Sequence, residues 1–105
     1  MDAKKQKRLE AAGWRVGSAK DFLGLSQEEV RLVEVRLGLA DYIRDLRRQH
    51  HWTQAQVAGR IGSSQSRVAK IEAGDASVSL DLMFKAVFSL GASPGDVAGA
   101  ISRIA

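Results

Sequence analysis

TQAQVAGRIGSSQSRVAKIEAG, residues 53–74, spells two short helices joined by a tight turn. Thr53 is a good N-cap, and Gln56 three residues on can reach back to the cap's own N–H, so TQAQ reads as a capping box. Val57 and Ile61, four apart, share one face of the helix that follows, while the small Ala58 on the inner side lets a second helix come close. Gly62 takes positive φ without steric cost and supplies the turn. Ser64 caps the second helix, Val68 and Ile71 face inward from it, and Gly74 stops it. Gln65, Ser66, Arg67 and Lys70 are left on the outward face. They are hydrogen-bonding and cationic side chains, suited to reading base edges and holding phosphates.

An ordered set of residues surrounds this unit: Leu46-Arg47 before it, Ser79-Leu80 and Leu90-Gly91 after it. With Thr53-Gln54, Ala58, Gly62, Ser64-Gln65-Ser66, Ile71-Glu72 and Gly74, they make residues 39–92 resemble the Xre/Cro-type helix-turn-helix regulators related to phage repressors. The resemblance implies an all-α, lambda-repressor-like five-helix DNA-binding domain. It also implies that Gln54 contacts the DNA backbone and supports Gln65 on a base, and that Arg47 and Glu72 form an internal ion pair. The expected base-reading set is therefore Gln65, Ser66, Arg67 and Lys70, and the expected phosphate-binding set is Thr53, Gln54 and Ser64.

A chain of 105 residues with 45% hydrophobic content suits one small folded domain with an extension. The absence of cysteine excludes disulfides and thiolate metal sites and fits a reducing compartment. No apolar run approaches the roughly 18 residues of a membrane span, and residues 1–12 lack the apolar core of a secretory signal, so a cytoplasmic protein with no membrane partner is expected. Lys and Arg number 16 against 12 Asp and Glu, a modest excess. Its location sharpens it: between positions 44 and 70 stand Arg44, Arg47, Arg48, Arg60, Arg67 and Lys70, opposed by Asp45 alone. A basic patch on a DNA-reading unit attracts phosphate and makes binding salt dependent.

Adjacent His50 and His51 point in different directions on a helix and make a poor chelating pair, so no metal is expected there. Together with Asp75 and Asp81 they show no spacing of a nucleophile with its base, a metal site or a phosphate loop; neither catalysis nor a cofactor is expected. Trp52 falls where the resemblance places an apolar residue and is read as a core anchor.

Toward the N-terminus, residues 1–12 carry Lys4, Lys5, Lys7 and Arg8 and read as a basic arm, frayed helix or flexible, of a kind that can track DNA. Residues 13–17, GWRVG, alternate apolar and polar side chains between glycines and read as a coil or a short strand with Trp14 and Val16 on one side. Residues 18–25, with Phe22 and Leu23, suit a short helix. Ser26 with Glu29 reads as a second capping box, opening a helix from Gln27 to about Gln49. That helix carries two apolar stripes. Leu32, Val35, Leu39, Ile43 and Leu46 lead into the domain core, whereas Val30, Val33, Leu37 and Ala40 have no evident partner within the chain and read as a contact surface. Gly38 marks either a break between two helices or a close approach. The expected division is an arm (1–12), an extension for dimer or partner contact (13–38) and the DNA-binding domain (39–105).

Toward the C-terminus, Ser79 caps a helix from Leu80 to Leu90 whose buried face is Leu82, Met83, Ala86, Val87 and Leu90. Ser93, Pro94 and Asp96 start a last helix with Val97, Ile101 and Ile104 at helical spacing, closing the core or adding to a dimer interface.

The expected function is that of a sequence-specific repressor, binding as a homodimer to a near-palindromic double-stranded operator. Residues 13–26, GWRVGSAKDFLGLS, followed by a charged apolar helix and the DNA-binding domain, also resemble HigA-type antitoxins. That resemblance implies a small ribonuclease toxin as partner, with Trp14, Phe22, Val30, Val33 and Leu37 as the dimer or toxin contact. The alternatives are a stand-alone phage-like repressor and a helical protein-interaction adaptor that reads no DNA.

Overall fold

Ser26 opens the first helix, α1 (Gln27–Gln49), by accepting a hydrogen bond on its hydroxyl from the Glu29 amide at 3.1 Å. Only this half of the expected capping box forms among the described residues. Those residues, in a computed structural model of the chain, are 26–104 together with Lys4 and Lys7. The expectations for the rest of the basic arm, for residues 13–17 with Trp14 and for the short helix with Phe22 lie outside them.

Four further helices follow, α2 (Gln54–Ile61), α3 (Gln65–Ala73), α4 (Leu80–Ser89) and α5 (Pro94–Ser102), and no strand occurs among the described residues. The fold is all-α and lambda-repressor-like, as the sequence led us to expect. α1 packs against α3, α4 and α5, and α2 packs against α3 and α4. Leu39, Ile43, Val57, Val68, Ile71, Met83, Val87 and Leu90 fill the centre, each almost wholly removed from water.

Each helix from α2 onward begins on the cap expected of it, with Thr53, Ser64, Ser79 and Ser93 accepting from the amide three residues ahead. Thr53 with Gln56 and Ser93 with Asp96 form complete capping boxes. The ends are equally local. After α2, α3 and α4 the chain turns through Gly62, Gly74 and Gly91 at positive φ, and the following amide reaches back five residues to a helical carbonyl. α1 ends in the same way through His51, at φ 58, with Trp52 N–H bonded to the Arg47 carbonyl at 3.1 Å. A histidine therefore holds a left-handed position that elsewhere among the described residues belongs to glycine.

The second stripe of α1, and Leu32 of the first, are a correction; Leu39 and Ile43 enter the core as expected. Val33, Leu37 and Ala40, expected to lack a partner, are buried in the chain's own interior, whereas Leu32 is 43% exposed. Gly74 supplies the reason: with no Cβ it lies flat on α1, and the Leu37 Cδ2 methyl sits 2.9 Å from where that Cβ would be. The end of α3 thus covers the Leu37 and Ala40 face, while Leu39 and Ile43 point into the centre of the core. Val30 is half-buried and stays at the surface. Helix α1 is unbroken at Gly38, which instead makes room for the Ile104 side chain.

Candidate nucleic-acid interface

The first helix of the motif, α2, turns Val57, Ala58 and Ile61 inward. Gly62, at φ 67 and ψ 40, reverses the chain, and Ser63 N–H closes the turn on the Ala58 carbonyl at 2.8 Å. α3 then buries Val68, Ile71 and Glu72 and presents Gln65, Ser66, Arg67 and Lys70 to solvent. These four expected base-reading residues occupy the first two turns of one exposed helix. Such a helix fits the major groove, where amide and guanidinium groups can bond base edges bidentately.

The expected phosphate-binding residues are partly engaged in the fold. Thr53 accepts from Gln56 N–H at 3.1 Å, and its own amide donates to the Gln56 side chain at 2.8 Å, so its hydroxyl proton is what remains for a phosphate. The Ser64 hydroxyl accepts from Arg67 N–H and shares a 3.2 Å hydrogen bond with the Ser66 hydroxyl. The Gln54 amide donates to Glu72 at 3.4 Å, and no hydrogen bond joins it to Gln65 among the described residues. The cooperating glutamine pair implied by the resemblance is not assembled in the unbound protein.

Arg47 and Glu72 do meet. Arg47 donates through Nε at 2.6 Å and Nη2 at 2.9 Å to the two Glu72 carboxylate oxygens, and through Nη1 to the Trp52 carbonyl at 3.0 Å. This fork geometry is the strong form of an arginine–carboxylate pair. The hydrogen bond to Glu72 raises the Arg47 pKa against the opposing effect of burial. Glu72 thereby ties α3 to the end of α1 and the start of α2. Nearby, the His50 ring stacks on Trp52 with centroids 4.2 Å apart, and the Arg60 guanidinium lies 4.1 Å from the Trp52 ring centre. Trp52 is half-buried against the core, and His50 Nε2 contacts the Leu90 carbonyl at 2.9 Å.

The basic patch is smaller than the sequence count. Arg44 is held by Asp41 at 3.3 Å and Asp45 at 3.8 Å, and Arg47 is neutralised by Glu72. Arg48, Arg60, Arg67 and Lys70 remain as exposed cations.

One part of the surface was missed from the sequence. A polar depression of about 320 Å³ lies between α3 and the loop that follows it, lined by Ser64, Ser66, Arg67, Lys70, Ser77 and Val78. Asp75 shapes the loop, accepting from Ser77 N–H at 2.8 Å and from the Ser77 hydroxyl at 2.6 Å. Those two bonds, aided by Lys70, hold the Asp75 carboxyl below its ordinary pKa. Asp75-Ala76-Ser77 is a legible turn signal, since Asp bonds the backbone two residues on. Its neighbourhood to Arg67 and Lys70 is not.

The helix-turn-helix family model matches residues 43–96, just over half of the chain. The chain belongs to the Xre-type helix-turn-helix family. This family membership makes the protein a DNA-binding transcriptional regulator, and the matched span contains the whole of α2 and α3. Comparison with curated proteins and with solved structures gives no match. Among the described residues of this helix-turn-helix protein no helix is long and apolar enough to cross a membrane, and no three His, Cys, Asp or Glu residues gather to hold a metal.

Proposed function

We propose that the protein is a repressor that binds a near-palindromic operator as a homodimer, each subunit laying α3 in a major groove with half-sites about one helical turn apart. The observation that carries this reading is the outward face of α3, where Gln65, Ser66, Arg67 and Lys70 stand exposed together. Gln65 bonds adenine, Arg67 and Lys70 reach guanine or phosphate, and Thr53, Gln54 and Ser64 line the flanking phosphates. On this reading residues 39–105 carry DNA binding and residues 1–38 the arm and the partner contact.

We further propose that the repressor is the antitoxin of a toxin–antitoxin pair, on the resemblance of residues 13–26 to HigA-type antitoxins. Trp14, Phe22 and Val30 are the contacts this reading retains, because Val33 and Leu37 are buried.

Fluorescence anisotropy against DNA from upstream of the protein's own gene, beside a scrambled duplex and at several salt concentrations, tests the first proposal. Preference for the upstream DNA that weakens with salt is the expected result. Equal weak binding to both duplexes would favour the protein-interaction adaptor. Co-purification with the product of an adjacent small gene tests the second; its absence leaves a stand-alone repressor.

A further inference from the structure

Arg36 is a charged residue on the buried face of α1, only 8% exposed, between Val33 and Ala40. It lies outside the residues that match the family model. Its Nη1 donates to the Val78 carbonyl and lies 3.9 Å from the Met83 sulfur. Val78 is itself anchored in the core by its side chain, and its amide bonds the Asp75 carbonyl at 3.1 Å. The loop wall of the polar depression is therefore held from behind by a residue 42 positions earlier in the chain.

In front of that wall stand two cations, Arg67 and Lys70, with the Asp75 carboxylate close enough to feel the Lys70 charge. Two positive groups against one negative leave a single net positive charge, which suits the single negative charge of a phosphodiester. The shared bond of Ser64 and Ser66 consumes one hydroxyl proton and leaves the other to donate. The Ser77 hydroxyl is committed to Asp75 and serves the wall. Ser64 and Ser66, which line the depression, flank Gln65 in the chain, so a duplex read by α3 would carry its backbone past it.

We propose that this depression seats one DNA backbone phosphate, and that Arg36 is a positioning residue for it, acting through the Val78 carbonyl; the proposal rests on the operator-binding reading above. On this proposal Arg36, although it precedes residue 39, supports DNA binding from behind the loop.

Operator binding by the wild type, Arg36→Lys, Lys70→Ala and the double variant would be titrated at several salt concentrations. Each seated phosphate contributes about −0.9 to the slope of log affinity against log salt. Arg36→Lys is expected to weaken operator and scrambled DNA alike by about three- to tenfold and to make the slope shallower by about one, with its melting temperature nearly unchanged. The double variant should lose no more slope than Lys70→Ala alone. A purely structural Arg36 would move the melting temperature and leave the slope untouched.

Duplexes neutralised at one phosphate at a time by methylphosphonate locate the seat. One position should weaken the wild type and be silent in Lys70→Ala. Should Arg36→Lys fail to fold, the wild type still decides: the Arg36 guanidinium and Val78 carbonyl NMR signals should shift with intact operator and not with the duplex neutralised at that position. Unchanged slope and affinity in a folded Arg36→Lys, beside a wild type that binds its operator, would overturn this proposal alone. A wild type that binds no DNA would remove the operator reading with it. Equal shifts from inorganic phosphate without DNA would overturn the phosphodiester assignment.

Discussion

Glu72 is 7% exposed and holds Arg47 through both carboxylate oxygens, with Gln54 on the same oxygen as Nη2. Removing one member of such a pair leaves the other charge desolvated, and the cost exceeds anything the intact pair contributes. Glu72→Ala should therefore lower unfolding free energy by about 3–5 kcal/mol, measured by urea denaturation. A variant of wild-type stability would show that Arg47 finds water or another acceptor. His51 carries the opposite expectation. Its left-handed φ of 58 strains a side chain in a position glycine takes freely. His51→Gly should raise stability by up to about 1 kcal/mol, the relief of strain exceeding the extra freedom of the unfolded chain. The same denaturation series reads it, and a loss of stability would mean that the imidazole makes a contact worth more than the strain.

At the scale of elements, α3 divides its labour by face. Val68, Ile71 and Glu72 fasten it, and Gln65, Ser66, Arg67 and Lys70 face outward. Specificity and affinity should accordingly separate by residue. Gln65→Ala is expected to cost about 1–3 kcal/mol on the operator and much less on random DNA. Comparable losses on both in competition titrations would assign Gln65 to the backbone rather than to a base. The glutamine partnership expected from the resemblance is a clear case of what the chain does not disclose. Residue type and spacing place Gln54 and Gln65 at two helix starts, but in the free protein Gln54 is turned toward Glu72. Which partner an amide chooses depends on the acceptors that packing brings within reach, and a carboxylate is a stronger acceptor than another amide.

For the whole molecule, acid is the simplest perturbation to compute in sign. Asp75 and Asp96 both titrate below the ordinary carboxylate value of 3.8 because the folded state hydrogen-bonds their charged forms, through Ser77 and Ser93 respectively. A folded-state pKa below the unfolded one means stability that is fully present above about pH 4 and is lost as pH falls through the folded value. The melting temperature of the protein should be flat near neutrality and fall below about pH 4. In Asp75→Asn the gap from wild type should be wider at pH 7 than at pH 3. A gap independent of pH would mean that the Asp75 charge is not what holds Ser77.

Helix starts and stops were legible because they are decided within about four residues. Ser64, Ser79 and Ser93 find amide partners three positions ahead, and Gly62, Gly74 and Gly91 turn on their own φ. The expected base-reading face was equally legible, since a 3.6-residue period that buries Val68 and Ile71 leaves Gln65, Ser66, Arg67 and Lys70 outside. Tertiary structure alone decided that the second stripe of α1 is interior as well as the first, because the cover of Leu37 is Gly74, supplied from another helix. The Arg47–Glu72 pair was implied by the resemblance, but its fork geometry across 25 positions, and the Gln54 amide sharing the carboxylate, came only with packing. Packing also brought Arg36 to the back of the loop beside the recognition helix. A local rule sees only neighbours along the chain; desolvation and charge pairing act on neighbours in space, and the fold chooses those.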